Sequence, residues 1–449
     1  MKDSDKRIYT LSEERPVKAV IKMGLPLVAG MLIMVMYNLV DTYFIGKTGD
    51  PYMIAAVNLS YPVMMVMISI SNIIGTGSSS YIARSLGASD NKTAVDTLTS
   101  GFILTFINGL LVCIAGLLFL NPIVRGLGAR ENTFIFTRQY VEIILSGSLF
   151  TMGSYTVGAF LRSEGSVKFS MIGMITGPVV NMILDPIFIF TLKMNVRGAA
   201  IATVLGNVVG VAVFMLFYLC KATLLRPSFR NFRFNREIVR EIYVVGLPAS
   251  LETFLTSVAY VVNNNLAVMY GELTVAAMGI AQKVLSFGSY LYQGMASGIQ
   301  PLMGYNYGAR NFGRMKKILK AGVQVVTVSE LVLMAAYVFF ASDLIGIFTD
   351  SGEVIRIGAH VLRMQIFILP FVGSVSMSRM SFQAMGKPGL AFLITLIRQV
   401  FLYIPLLLVL NRLFGFNGLL CAQPVTEAVM MTVSLMLLVH YINKVSEED

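Results

Sequence analysis

Apolar runs, broken by short clusters of charged, Gly and Pro residues, recur along the chain from Met23 to His440. Each is long enough to cross a hydrocarbon core of about 30 Å as a helix. Divided at the polar clusters, the pattern predicts twelve spans, at roughly 17–45, 52–83, 94–120, 134–160, 168–192, 198–220, 238–270, 273–305, 316–341, 354–380, 389–411 and 417–441. Some are longer than a bilayer needs, so they must tilt or kink. Pro26, Pro62, Pro178 and Pro186 supply kink sites. The expected class is an all-α integral membrane protein.

The pattern also repeats. "GLPLVAGMLIMVMYNLVDTYFIG" from Gly24 aligns with "GLPASLETFLTSVAYVVNNNLAV" from Gly246, and "GTGSSSYIARSLGA" (75–88) aligns, with one gap, with "ASGIQPLMGYNYGA" (296–309). Two six-helix halves inserted in the same direction give two pseudo-symmetric lobes, with a twofold axis normal to the membrane. The expected division is an amino-terminal lobe at 1–220, a basic linker at 221–240 and a carboxy-terminal lobe at 241–449.

Composition excludes a soluble chain. Of 449 residues 56% are hydrophobic and only 13% charged, with mean hydropathy +0.73, where a soluble domain carries roughly a quarter charged residues. The net charge of +11 would point to nucleic acid in a soluble protein, but here the Lys and Arg residues fall between the apolar runs. They report orientation: 24 fall on the side of the termini and eight on the other, which predicts both termini cytoplasmic in the cell (inner) membrane. No nucleic-acid partner is implied. The charged N-terminus, "MKDSDKRIYTLSEERPVK", is not a signal-peptide core, so the first run is kept as a helix. Cys113, Cys220 and Cys421 are isolated and read as packing residues.

Ionisable groups inside a membrane cost enough to mark sites. In the first half these are Asp41 and Asp185. Pro178, Asn181 and Asp185 follow an i, i+3, i+7 pattern and share a helix face, and Pro186 loosens the helix beside them. The small-residue span "RGAAIATVLGNVVG" can pack closely on a neighbour and present Thr203 and Asn207. Carboxylates, an amide and a hydroxyl offer only oxygen ligands, which suit a hard cation such as sodium, or a shared proton. A solvated helix end is the alternative for Asp41, six residues before Lys47, and a helix-end carboxylate for Asp185. The second half holds Glu252, Lys283, Arg398, Gln423 and Glu427. Charges of both signs there read as a buried pair network joining Glu252 and Glu427 to Lys283 or Arg398, or, for Glu252, as a contact to cationic substrate.

"GLPLVAGMLIMVMYNLVDTYFIG", "SYIARSLGASD", "FLRSEG", "NMILDPIFI", "RGAAIAT" and "PLMGYNYGARN", in this order, resemble the multidrug and toxic compound extrusion (MATE) transporters, in their DinF-like or MepA-like branch, over essentially the whole chain. The resemblance implies a two-lobed exporter of amphipathic, often cationic compounds, driven by inward flow of sodium ions or protons. It implies that Asp41, Asn181, Asp185 and Thr203 hold the coupling cation and that Tyr37 and Tyr140 line the same lobe. By repeat register Asp41 falls on Asn263, Thr203 on Gln423 and Asn207 on Glu427, so these ligands are not duplicated. In the NorM-like branch the second lobe uses acidic residues of helices 7 and 10. Here Glu252 lies about one turn earlier than that pattern, and the span "HVLRMQIFILPFVGSVSMSRMSFQAMG" has no acidic residue. Substrate contact or coupling is therefore assigned to Tyr37, Tyr140, Asn207, Glu252 and Asn263.

The 28 Met and 29 Phe residues suit adaptable apolar binding. The partners expected are amphipathic small molecules and lipid, with the protein a monomer, no cofactor and no metal beyond the coupling ion. A flippase for a lipid-linked precursor shares this architecture, but would carry basic residues deep in the first lobe, where the sequence has none. A channel would need a repeated filter motif or rings of like charge. An enzyme would need a nucleophile, a His–acid pair or a metal-ligand cluster, and none is visible.

Overall fold

The structure is a computed structural model that describes residues 3–46, 51–220, 222–230 and 235–448. The described residues form helices joined by short turns, with no strand. The first half contains α1 (Asp3–Ser12), α2 (Pro16–Gly46), α3 (Pro51–Gly87), α4 (Asn91–Leu118), α5 (Leu120–Gly126), α6 (Glu131–Ser146), α7 (Ser148–Ser163), α8 (Val167–Pro186) and α9 (Asn195–Leu219). The second contains α10 (Arg236–Val268), α11 (Glu272–Gly308), α12 (Phe312–Gly346), α13 (Gly352–Gln365), α14 (Leu369–Ala384), α15 (Pro388–Leu396) and α16 (Ile404–Glu448). π-helical stretches follow α8 at Ile187–Thr191 and α15 at Ile397–Tyr403.

These make the twelve spans of an all-α membrane protein with six in each lobe, although several are not single helices. The expected span at 134–160 is α6 and α7, bent by 53° where Ser146, Gly147 and Ser148 weaken the helix. The tenth span is α13 with α14. The eleventh runs through α15 and the π-helical stretch to Phe414. There the chain passes through Gly415, whose φ of 58° suits a residue without Cβ, and the rest of α16 is the twelfth. Glu252, Asn263, Asn264, Gln282 and Lys283 interrupt the apolar runs of α10 and α11.

The chain forms two compact units, Met1–Ile8 with Ala29–Gly246, and Tyr9–Val28 with Leu247–Asp449. Their boundaries fall inside α1, α2 and α10. In α2 and α10, Gly24 and Gly246 occupy equivalent positions of the repeat, and each admits a close helix contact. A Cβ on Gly246 would lie 1.8 Å from Ile73 O of α3 in unit one, and one on Gly298 of α11 would lie 2.6 Å from Gly24 in unit two. Of the expected linker 221–240, residues 221 and 231–234 lie outside the described residues, and α10 already begins at Arg236. The described part is tied to unit one: Leu225 N donates to Glu164 Oε2 (2.8 Å) and Ser228 N to Thr99 Oγ1 (3.0 Å).

Candidate functional site

Two facing glycine motifs position the amino-terminal polar set. Gly173 and Gly177 are four residues apart on α8, as are Gly206 and Gly210 on α9. This is the small-residue spacing that lets membrane helices approach closely. The approach is tight: a Cβ on Gly206 would lie 2.6 Å from Gly177 O and 3.3 Å from Asn181 Cβ. One turn beyond Gly177, the same face of α8 therefore presents Asn181 to Thr203 of α9.

Asn181 and Asp185 are buried, at 2% and 0% exposure, and Thr203 is buried with them. With its nitrogen toward the carboxylate, the Asn181 amide donates to Asp185 Oδ2 (2.7 Å), and its oxygen accepts from Thr203 N (2.8 Å) and Oγ1 (3.1 Å). The opposite setting would turn the amide oxygen onto the carboxylate. The single Thr203 hydroxyl proton is shared with Ala199 O, 2.9 Å away. Pro186 has no N–H to continue the helical ladder, and the chain widens into the π-helical stretch at Ile187, directly after the carboxylate.

Asn207 extends the set by one turn, donating to Thr203 O (3.1 Å) and Thr151 Oγ1 (3.3 Å) of α7. Tyr140 of α6 is buried in the apolar cluster of Met53, Met152, Ile189 and Ala199, beside the Ala199–Thr203 turn. Tyr37 is half-buried on α2. Asp41 is on α2 as well, but its side chain lies outside the described residues. The structure thus brings together Asn181, Asp185, Thr203 and Asn207 from two helices. Their oxygen atoms can ligate a hard cation, and the carboxylate can instead take a proton.

Unit two is built on ion pairs. Arg398, on the π-helical stretch, donates from Nε to Glu427 Oε1 of α16 at 2.6 Å, with the Glu427 side chain 1% exposed. Arg379 of α14 pairs with Glu252 of α10. The expected network is therefore corrected in one partner: Arg398 serves Glu427, whereas Glu252 takes Arg379. Arg379 reads from sequence as part of a polar flank beside Lys387, and Lys283 is exposed. Asn263 is buried at 5%, and its Oδ1 has no hydrogen-bond partner among the described residues. The sequence candidates also omit Glu330, a lone carboxylate in the apolar run 316–341, to which the rule that marks Asp185 applies equally.

Comparison with known proteins agrees with this architecture. The family model described as MatE matches twice, at residues 26–187 and 248–409, so its two copies begin at positions that the repeat had paired. The chain belongs to this family of membrane transporters. It is 30% identical over 433 residues to the multidrug export protein MepA of Staphylococcus aureus, covering 96% of each chain. To its counterpart in Staphylococcus saprophyticus it is 31% identical, with the same coverage. Among solved structures, it matches an outward-facing multidrug resistance MATE transporter of the MOP superfamily with a TM-score of 0.93 and 27% identity, covering 98% of this chain and 99% of that one. A MOP superfamily transporter from Pyrococcus furiosus, whose description reports reversed polarity of its binding pocket, matches with a TM-score of 0.92 and 27% identity, covering 98% of each chain.

Proposed function

We propose that this protein exports amphipathic, often cationic compounds in exchange for an inward-moving cation, sodium or proton, bound at Asp41, Asn181, Asp185 and Thr203. The observation that carries this reading is Asp185, a carboxylate at 0% exposure in a helix contact whose neighbours present oxygen ligands. The export function of the MepA relatives supports the substrate class, and the soft Met- and Phe-rich composition suits varied apolar ligands.

In this account cation binding neutralises Asp185 and lets α8 and α9 close, while drug binding favours the state in which the cation has left. Coupling requires each ligand to prefer a different state, since a ligand that binds both equally shifts nothing. The protein works as a monomer in the cytoplasmic membrane with both termini inside, in keeping with the excess of basic residues on that side.

The test is uptake of a cationic dye into inverted vesicles, with sodium and pH gradients imposed independently. Uptake driven by one of the two gradients, and lost in Asp41→Asn and Asp185→Asn variants that still insert and bind dye, is the expected result. Parental uptake by either variant would remove the amino-terminal site from the mechanism.

A further inference from the structure

Unit two contains a buried carboxylate that the exporter reading does not use. Glu330 lies near the middle of the 35-residue helix α12. It is 0% exposed, and among the described residues neither of its carboxyl oxygens has a hydrogen-bond partner. Its helix face is fixed by its neighbours at i−4 and i+3. A Cβ on Gly373 of α14 would lie 2.3 Å from Val326 Cγ1 and 3.3 Å from Tyr292 Cβ of α11, and one on Gly288 of α11 would lie 3.2 Å from Leu333 Cδ2. Glu330 falls between these two layers, on the face that α12 turns toward α11 and α14. Ser374, the residue after Gly373, also has a buried hydroxyl with no hydrogen-bond partner among the described residues.

The charged groups of the surrounding elements are paired elsewhere, hydrogen-bonded elsewhere or exposed. On α12 itself, Tyr337 donates its hydroxyl to Val284 O of α11 at 2.9 Å. Helix α11 carries the half-buried Tyr290 and Tyr292 and the exposed Lys283. On α13, Arg363 donates to Val338 O and His360 is 2.7 Å from Asn417. Arg379 of α14 is paired with Glu252, and Glu427 of α16 with Arg398. An ionised carboxylate needs donors or a counter-charge to remain in a low-dielectric interior, and among the described residues it has neither. A neutral carboxyl costs far less to bury there.

We propose that Glu330 is a proton-binding site of unit two: a carboxyl that holds its proton while α11, α12 and α14 are packed as here and gives it up when substrate binding loosens that contact. Only the trigger, substrate, rests on the exporter reading. The site differs from the oxygen cluster at Asp185, where donors are already in place.

Infrared spectroscopy of the purified protein at neutral pH tests protonation without any substrate. The parent should show a protonated-carboxyl component, shifting in D2O, that the parent-minus-variant difference spectra of Glu330→Gln and Glu330→Met isolate. The Met variant is expected to fold even where Gln does not, because an apolar residue of similar size relieves the buried polar group. Identical spectra for the parent and whichever variant folds would overturn the proposal. Tetraphenylphosphonium is then added in lightly buffered detergent with a pH dye. Both Glu330 variants should release about one proton fewer per bound probe than the parent, whereas Asp185→Asn should keep that proton. Equal release by the parent and the Glu330 variants would equally overturn the proposal. A parent that shows the stretch but binds no probe would contradict the exporter reading while supporting protonation of Glu330.

Discussion

The repeat places two chemically different corners at equivalent points of the two lobes. In unit one, the Asn181 amide links Asp185 of α8 to Thr203 of α9, and Asn207 bonds to Thr203 O and Thr151. In unit two, the residue in register with Asn207 is Glu427, held by Arg398 at 2.6 Å, with a second pair at Glu252 and Arg379. One duplicated scaffold thus carries a carboxylate among dipoles in one lobe and carboxylates with permanent counter-charges in the other. A carboxylate whose counter-charge is part of the chain gains little from a mobile cation. One surrounded by neutral oxygens is suited to receive it.

The contrast can be broken most severely at Arg398. Arg398→Met strands Glu427 without its counter-charge and should cost about 3–5 kcal/mol of stability, while Arg398→Met with Glu427→Met should recover most of it. Thermal unfolding of the detergent-solubilised variants measures both, and a single variant as stable as the parent would show that the pair is not structural.

Glu164, in the turn between α7 and α8, extends the comparison outside the spans. It too is a buried carboxylate held by neutral donors, Leu225 N at 2.8 Å and Ser166 Oγ at 2.7 Å. Burial pushes its carboxyl up to about 7 from an ordinary 4.5, against the lowering pull of those hydrogen bonds. Between pH 4.5 and about 7 the folded protein holds a proton that the unfolded chain has lost. Stability should therefore fall as pH rises through that window, by up to about 3 kcal/mol. Glu164→Gln should flatten the dependence of melting temperature on pH, and an unchanged slope would contradict this account of the turn.

Smaller effects sharpen the unit-one corner. Gly206→Ala places a methyl against Gly177 O and should cost about 1–3 kcal/mol by separating α8 from α9, read as a lower melting temperature. Thr203→Val should leave folding intact and weaken coupling-ion affinity by about tenfold, the value of one lost hydrogen bond. An ion titration of the purified protein measures this, and an unchanged affinity would take Thr203 out of the site.

The elements and much of the unit-one corner were legible because they follow from local periodicity. Asn181 and Asp185 stand one turn apart in an otherwise apolar helix, and the glycines that bring Thr203 to them lie in the same sequence segments. Pair partners were less legible. Arg379 looks like a flank residue in sequence, and only the tertiary fold makes it the counter-ion of Glu252. The bend at Gly147 had a local signal in its Ser-Gly-Ser sequence, whereas the division of α2 and α10 between units depends on contacts far apart in the chain. Glu330 required no tertiary information to be noticed, since a lone carboxylate in a long apolar run is itself the signal.

The central claim is that Asp185, and not the carboxylates of the ion pairs, takes the coupling cation. It is tested most directly by ion binding to the purified protein, with sodium titrated at fixed pH and proton uptake followed over a pH step in the absence of sodium. The account predicts that Asp185→Asn loses the sodium-binding signal or takes up about one proton fewer, whereas the Arg398→Met, Glu427→Met double variant binds as the parent does. Parental ion binding by Asp185→Asn, with loss in the double variant, would contradict it and move the site to unit two.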